Sequence, residues 1–283
     1  MRLGAHGLIW TNSFTTESLY IIGKLKNLGG EVIDIPFGED KPLFDVQKTK
    51  NTLSMFGMEA NIAGNITSAR DITSSDKAVR EAGLRYLESC IKICVQIGAK
   101  NLIGPLHAEL RKSLILSDEE KKRRWGNCVD SLQRVSKFAE QEGVTMCIEP
   151  LNRFESYFLT TVRDGIGLVN DVNSKNVKLL LDTFHMNIEE KDICSAIRNA
   201  GEKIGHFHAC ENDRGIPGSG HIDWNEVASC LKDTGYDGQV VIESYNPGIP
   251  ALAQRACIFR RFAPDQDTFV RDGLSFLKNL FKK

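Results

Sequence analysis

The chain has 283 residues, 41% hydrophobic and 26% charged, which fits a globular protein of one large or two smaller domains. Its 36 basic and 37 acidic residues leave a net charge of −1, which argues against the basic surface that nucleic acid or an anionic membrane requires. No apolar run reaches the roughly 18 residues that cross a bilayer, and the first residues lack a secretory pattern, so we expect a cytoplasmic protein with no membrane or nucleic-acid partner.

Apolar segments typical of strands alternate along the chain with segments typical of helices. The predicted strands are 3–10, 31–37, 58–64, 100–106, 144–150, 177–185, 204–210 and 239–244. The predicted helices are 16–28, 44–56, 76–98, 117–142, 162–173, 190–201, 223–234 and 266–282, with a capping-box pattern at Ser117 and Glu120. Eight such units predict an α/β protein of one domain over 1–283, a single (β/α)8 TIM barrel. An open sheet that binds nucleotide is disfavoured, because GAHGLIW near the start lacks the G-x-G-x-x-G turn.

The eight cysteines are scattered singly along the chain. A disulfide framework is typical of short secreted chains, so we predict that these cysteines are reduced thiols. Cys90 and Cys94 lie four residues apart on a predicted helix, where two core thiols are favoured over a metal-binding pair.

Four consecutive predicted strands end in residues that could bind a metal ion. These are Glu149, Asp182, His208 and Glu243. In a (β/α)8 barrel the carboxyl ends of the strands form the rim that carries the chemistry. A carboxylate that directly follows a buried strand, as Asp182 does, is costly unless something compensates its charge. Separate solvated or ion-paired rim residues are the alternative, but four in succession favour a shared divalent cation. Three carboxylates and one imidazole suit Mn²⁺, Co²⁺ or Mg²⁺ better than a structural zinc.

Three further polar residues lie close to these candidates in the sequence. His206 is two residues before His208 on the same face of the strand, and we interpret it as a hydrogen-bonded core histidine. Asn152 and Arg153 follow Glu149 and could orient the rim. An exposed loop position is an equal alternative for Arg153.

Four segments together resemble the ketose 3-epimerases, the D-tagatose/D-allulose 3-epimerase group of the xylose isomerase-like barrels. They are CIEPLNRFE (147–155), LDTFHMNIEE (181–190), GHFHACENDRGIPGSG (205–220) and VVIES (240–244). The resemblance implies one divalent metal ion per subunit, Mn²⁺ or Co²⁺ with Mg²⁺ as an alternative, held by the four rim residues. It implies that Glu149 and Glu243 are the catalytic acid and base, and that Glu155, His185 and Arg214 bind the O1–O3 end of a ketose. It also implies a homodimer or a homotetramer.

The reaction implied is epimerisation of a free ketose at C3, as between D-fructose and D-allulose, D-tagatose and D-sorbose, or L-ribulose and L-xylulose. It needs a base on each face of C3 and a Lewis acid that stabilises the enediolate. Strands one to four would then shape the pocket for C4–C6, which predicts that His6, Trp10, Leu106 and His107 lie near the tail of the sugar. His6, Phe14 and the turn GPLH (104–107) depart from common family residues, so the preferred ketose stays open.

Three other functions compete with this interpretation. An aldose–ketose isomerase, or another sugar isomerase of the same superfamily, would share the metal but move a proton between C1 and C2. An abasic-site DNA endonuclease shares the barrel, but it needs a multi-zinc cluster with more histidines than the six present and a basic surface. A sugar-binding protein without catalysis would have no reason to keep both glutamates.

Overall fold

The structure is a computed structural model that describes residues 1–110 and 114–282. Eight parallel strands pair in chain order, and the last strand pairs with the first, so the sheet closes into a barrel. The strands are β1 Arg2–His6, β2 Val32–Phe37, β3 Glu59–Gly64, β4 Asn101–Gly104, β5 Thr145–Ile148, β6 Val177–Asp182, β7 Ile204–Ala209 and β8 Gln239–Ile242. The (β/α)8 barrel predicted from the alternation of elements is confirmed.

Helices surround the barrel, and an apolar core fills the space between them and the strands. The α-helices are α1 Tyr20–Asn27, α2 Val46–Phe56, α3 Lys77–Ile97, α4 Asp118–Glu142, α5 Val162–Val172, α6 Thr183–Glu189, α7 Ile193–Ala200, α8 Trp224–Asp233, α9 Pro250–Ala256 and α10 Gln266–Lys282. The predicted capping box begins α4: Ser117 Oγ accepts the Glu120 N–H at 3.3 Å, and Glu120 Oε2 accepts the Ser117 N–H at 3.4 Å. Such caps satisfy N–H groups that have no partner within a helix.

Three of the differences from the predicted elements have a clear local cause. The strand predicted over 177–185 ends at Asp182, because its carboxylate accepts the backbone N–H of Phe184 at 2.7 Å and so begins α6. The strand predicted over 3–10 ends at His6, whose Nδ1 accepts the Leu8 N–H at 3.1 Å and begins a short 3₁₀ turn. Helix α9 lies in the segment predicted as a long connection and has Pro250 as its first residue, a position where proline costs no hydrogen bond.

The inside of the barrel is divided between apolar and polar side chains. Ile103, Cys147 and Leu180 form a small apolar cluster there. Asp34 and Asn61 are fully buried and bonded to each other, with Asn61 Nδ2 donating to Asp34 Oδ1 at 2.7 Å. The interior is therefore packed, and it carries polar groups up to the carboxyl ends of the strands.

Cys194 on α7 and Cys230 on α8 form a disulfide, so the prediction of eight reduced thiols is wrong for this pair. The two helices pack together and bring the Cα atoms to 5.6 Å, a proximity that 36 residues of intervening sequence do not reveal. The other six cysteines are free.

Among the described residues, no helix has both the length and the apolar character that a bilayer crossing needs.

Candidate active site

The four rim candidates meet at one point at the carboxyl end of the barrel. Glu149 directly follows β5, Asp182 ends β6, His208 lies near the end of β7, and Glu243 directly follows β8. All four are buried, and one potential ligand atom from each lies within 4.8 Å of the others. Gly104, at the end of β4, helps to place Glu149 because its carbonyl accepts the Glu149 N–H at 3.0 Å. The spacing of one ligand-type residue per βα unit therefore becomes one cluster in space.

Two atoms of this cluster are buried without a hydrogen-bond partner in the described structure. They are His208 Nδ1 and Glu149 Oε1, which lie 3.9 Å apart. His208 Nδ1 is also 3.7 Å from Asp182 Oδ2 and 3.7 Å from Glu243 Oε2. Buried polar atoms without partners are rare, and here they face the centre of a group of carboxylates. This arrangement fits a cation bound between them.

The charges of the cluster are unbalanced. Burial, and next the carboxylate of Glu243, raises the pKa of Glu149 well above its usual range. Burial alone would lower the pKa of His208, but the carboxylates of Glu243, Asp182, Asp34 and Glu149 raise it. Both shifts reflect negative charge gathered among buried side chains. A divalent cation would offset that charge, and carboxylate and imidazole are suitable ligands for one.

Arg214 supplies the positive charge nearest to the cluster. One guanidinium nitrogen, Nη1, donates to Asp182 Oδ2 at 2.8 Å and to Glu243 Oε2 at 2.6 Å. The other, Nη2, lies 3.1 Å from His185 Nε2, and the guanidinium stacks 4.2 Å from the centre of the Phe184 ring. Burial alone would raise the pKa of Asp182, because it opposes ionisation. The guanidinium of Arg214 outweighs that effect and holds the pKa well below its usual range. Arg214 is thus held at the edge of the cluster by ionic contacts.

Arg214 also has a backbone φ of 66°, in the left-handed region that residues other than glycine seldom adopt. Its carbonyl accepts a hydrogen bond from Ser244 Oγ at 2.8 Å. Strained residues of this kind persist where the surroundings hold them, often at functional sites.

Glu155 and His185 are connected through Asn152. The Asn152 backbone N–H donates to His185 Nδ1 at 3.0 Å, and its side-chain nitrogen donates to Glu155 Oε1 at 3.2 Å. Asn152 therefore orients this part of the rim, as its position after Glu149 predicts. Arg153 occupies an exposed loop position, the alternative to orienting the rim, and its side chain pairs with Glu189 at 2.8 Å.

A cavity of about 260 Å³ opens above the cluster. Its wall includes His6, Glu155, His185 and Arg214 among the predicted substrate-binding residues. Further lining comes from Leu8, Asn12, Phe37, Glu39, Asn65, Leu110, Tyr245 and Arg255. Four of the seven predicted substrate-binding residues therefore line this cavity, and their contacts with a sugar stay a prediction.

Trp10, Leu106 and His107 are not among the described residues that line this cavity. The turn after His6 directs Trp10 away, and its indole nitrogen donates to Asp267 Oδ1 at 2.8 Å. Leu106 is fully buried in the core. His107 lies behind Glu149, with Nε2 3.1 Å from the Glu149 carbonyl oxygen, and burial lowers its pKa to about 4. Phe14 is also buried, packed edge-on against Phe44.

Sequence reasoning missed two residues that contact the cluster. Asp34 Oδ2 lies 3.0 Å from His208 Nε2 and 3.0 Å from His206 Nε2. Its signal was available, because a lone aspartate inside the apolar strand VIDIPF is as costly as the one after VKLLL. Cys210 Sγ lies 3.2 Å from Asp182 Oδ2, and no pattern in the sequence marks it.

Comparison with known proteins adds a family match. The family described as xylose isomerase-like TIM barrel matches residues 22–280. A ketose 3-epimerase from Arthrobacter globiformis is 30% identical, over 99% of this chain and 99% of that protein. A D-psicose 3-epimerase from Ruminiclostridium cellulolyticum is 32% identical, over 87% of this chain and 84% of that protein.

The structure has a close counterpart among solved structures. A D-allulose 3-epimerase from Methylomonas sp., solved in complex with D-allulose, superposes with a TM-score of 0.92. The two are 28% identical, and the match covers 99% of this chain and 96% of that one.

Proposed function

We propose a reaction for this chain from one premise: it belongs to the ketose 3-epimerases of the xylose isomerase-like TIM barrel family. The proposed reaction is the metal-dependent epimerisation of a free ketose at C3. One observation carries it, namely the buried cluster of Glu149, Asp182, His208 and Glu243 at the base of a cavity of sugar size. Pairs such as D-fructose and D-allulose are the candidate substrates.

The metal would be held by those same four side chains, whose ligand atoms converge within 4.8 Å. When bound, Mn²⁺ or Co²⁺ would supply a Lewis acid that stabilises negative charge on the enediolate, a contribution of several kcal/mol. Mg²⁺ is the alternative ion. The two buried atoms without partners, His208 Nδ1 and Glu149 Oε1, support this assignment.

Glu149 and Glu243 would exchange the proton at C3. They follow β5 and β8, which lie three strands apart around the ring, so their carboxylates reach the site from different sides. In one direction Glu149 would remove the C3 proton while Glu243 returns a proton to the opposite face, and in the other direction the roles would reverse. General acid–base catalysis of this kind contributes typically 10²–10⁴-fold to a rate.

Arg214, His185 and Glu155 would hold the end of the sugar that every ketose shares. Arg214 and His185 present nitrogen atoms to the cavity beside the cluster, and both are buried. Glu155 lines the same wall, and hydrogen bonds from Asn152 link it to His185. Fixed donors around O1–O3 position C3 between the two glutamates, and such positioning is a large part of catalysis.

The runner-up is an aldose–ketose isomerase with the same metal, which would move hydrogen between C1 and C2. An abasic-site endonuclease is the more distant alternative, and the net charge of −1 and the small cavity count against it. The family membership favours C3 over both.

A product analysis tests the proposal. Protein loaded with Mn²⁺ or Co²⁺ is incubated with a panel of ketohexoses and ketopentoses, and the products are resolved by chromatography. We expect C3 epimers, no activity after chelation, and recovery when the metal is returned. Aldose products would favour the runner-up, and full activity in protein that elemental analysis finds metal-free would contradict the role of the metal.

A further inference from the structure

A continuous row of hydrogen-bonded side chains crosses the inside of the barrel, from the amino ends of the strands to the candidate metal site. We call Glu59, Gln239, Asn61 and Asp34 the polar file. Gln239 Nε2 donates to Glu59 Oε2 at 2.8 Å, and Asn61 Nδ2 donates to Gln239 Oε1 at 2.7 Å and to Asp34 Oδ1 at 2.7 Å. Beyond the file, Asp34 Oδ2 meets the imidazole of His208 at 3.0 Å.

The direction of every hydrogen bond in the polar file follows from its ends. Glu59 pairs with Arg2, and its carboxylate can only accept, so the Gln239 amide must turn its nitrogen to Glu59 and its oxygen to Asn61. Asn61 then donates to Gln239, and its own oxygen accepts from Asn101 Nδ2 at 2.9 Å. Its remaining donor is directed at Asp34 Oδ1.

Asp34 therefore has one oxygen committed to Asn61 and the other available to imidazoles. Oδ2 lies 3.0 Å from Nε2 of both His206 and His208, and all three side chains are buried. A carboxylate oxygen accepts hydrogen bonds, so we infer from these distances that Nε2 is the donor in both histidines. In neutral His208 the single ring proton is then on Nε2, and Nδ1 keeps its lone pair.

That lone pair is directed at the cluster. His208 Nδ1 is the buried atom without a partner that lies 3.7–3.9 Å from the three carboxylates. We propose that Asp34 is a positioning residue, which fixes the tautomer and the ring orientation of His208 so that Nδ1 is a metal ligand. The inference rests on the proposed function, because it takes the metal to lie among the four rim residues. Mutation of a carboxylate behind a ligand histidine typically weakens metal binding by roughly 10–100-fold.

The polar file makes Asp34→Asn a sharp test of this role. Asp34 accepts from donors at both oxygens, and an amide of the same size can accept at only one end. If its oxygen faces His208, its nitrogen meets the donor of Asn61, and if its nitrogen faces His208, the imidazole must move its proton to Nδ1. Either result weakens the link that holds the lone pair toward the metal.

Mn²⁺ affinity is the first readout, measured by equilibrium dialysis and elemental analysis of the purified protein. We expect Asp34→Asn to raise the Kd for Mn²⁺ by about 10–100-fold. Asn101→Leu is the matched control, because Asn101 donates to Asn61 and Gln239 of the polar file and, in the described part of the chain, makes no hydrogen bond to Asp34 or His208. It should leave the Kd unchanged, and a Kd for Asp34→Asn equal to that of the wild type would overturn the inference.

His208→Ala separates this inference from the proposed function. If His208→Ala weakens Mn²⁺ binding and Asp34→Asn does not, the metal site stands and the role of Asp34 is wrong. If His208→Ala leaves the Kd unchanged, the metal lies elsewhere, and both the site and the inference are wrong.

The ring proton of His208 is the second readout and needs no variant. In Mg²⁺-loaded wild-type protein labelled with ¹⁵N, correlation spectra distinguish a protonated ring nitrogen from one with a lone pair. We expect the proton on Nε2 of His208. A proton on Nδ1 in the metal-loaded protein would overturn the inference even if the Asp34 variant did not fold.

Discussion

Two buried aspartates, Asp182 at the end of β6 and Asp34 within β2, lie in or beside the candidate active site. Asp182 divides its two oxygens between roles, since Oδ1 caps α6 and Oδ2 faces Arg214 and the rim cluster. Asp34 divides its oxygens in the same way, between Asn61 and two imidazoles. A buried carboxylate is tolerated only when its oxygens accept hydrogen bonds or contact cations. Each of these residues therefore predicts such partners nearby, although the sequence alone does not identify them.

The two glutamates should have separable roles in the reaction. Glu149→Gln and Glu243→Gln keep an oxygen and similar volume but remove the carboxylate that accepts the proton. We expect net epimerisation to fall by about 10²–10⁴-fold in both variants. In D₂O each variant should still exchange the C3 proton of one epimer without inversion, and the two variants should act on different epimers.

Metal content is the control for those variants, because both glutamates are also proposed ligands. Deuterium exchange is therefore compared only between proteins of equal metal occupancy. Loss of exchange for both epimers in both fully loaded variants would indicate a single base or a proton relay through water.

His6 should influence which sugar is preferred. Its Nδ1 accepts from Leu8, and burial lowers its pKa to about 3, so the neutral ring presents an Nε2 proton beside the cavity. Loss of one hydrogen bond costs about 1 kcal/mol. We therefore expect His6→Phe to change kcat/KM by roughly fivefold for some ketoses and to change their order of preference.

Phe14→Leu is the matched control for His6, because Phe14 is buried against Phe44 and is not among the residues found along the cavity. Relative kcat/KM values across the same panel should keep their order. A change of order in Phe14→Leu, with none in His6→Phe, would show that the tail of the sugar lies on a different wall.

At the scale of elements, the sequence predicts the strands better than the connections between them. Strands and helices that are buried against a core leave a regular pattern of apolar residues, and that pattern can be read directly from the sequence. The rim cluster could be predicted for the same reason, because each of its members lies at a strand end. The surroundings of Trp10 and His107 could not, because they depend on a His6 cap and on a turn at Gly104, where φ is +116°. The sequence does not predict helix α6, because the apolar residues around Asp182 resemble one continuous strand and the Asp182 cap begins the helix within it.

The start of α4 offers a test of these capping arguments. Ser117→Ala removes the oxygen that accepts the Glu120 N–H, and we expect the free energy of unfolding to fall by about 1 kcal/mol in urea denaturation. Ser117→Asp retains an acceptor and should stay close to the wild type. Equal losses in both variants would indicate that the side chain stabilises α4 by some other contact.

At the scale of the whole molecule, the proposed function assigns different tasks to the two halves of the barrel. The proposed metal ligands, and the residues proposed to bind the shared end of a ketose, lie at the ends of β5 to β8 or after them, while the loops after β1 to β4 form much of the opposite wall. The polar file connects the rim to the other end of the barrel through side chains inside it. Under the proposed function, we therefore expect changes in these loops to alter the choice of sugar while the cluster at the rim stays the same.

The position of exchanged hydrogen distinguishes epimerisation at C3 from aldose–ketose isomerisation. Metal-loaded protein is incubated with D-fructose in D₂O, and the products are examined by NMR. Epimerisation through two bases predicts D-allulose with deuterium at C3 and none at C1, because the proton returned to the opposite face comes from an exchangeable group. Deuterium at C1, or an aldose as the product, would contradict epimerisation at C3 and indicate an aldose–ketose isomerase.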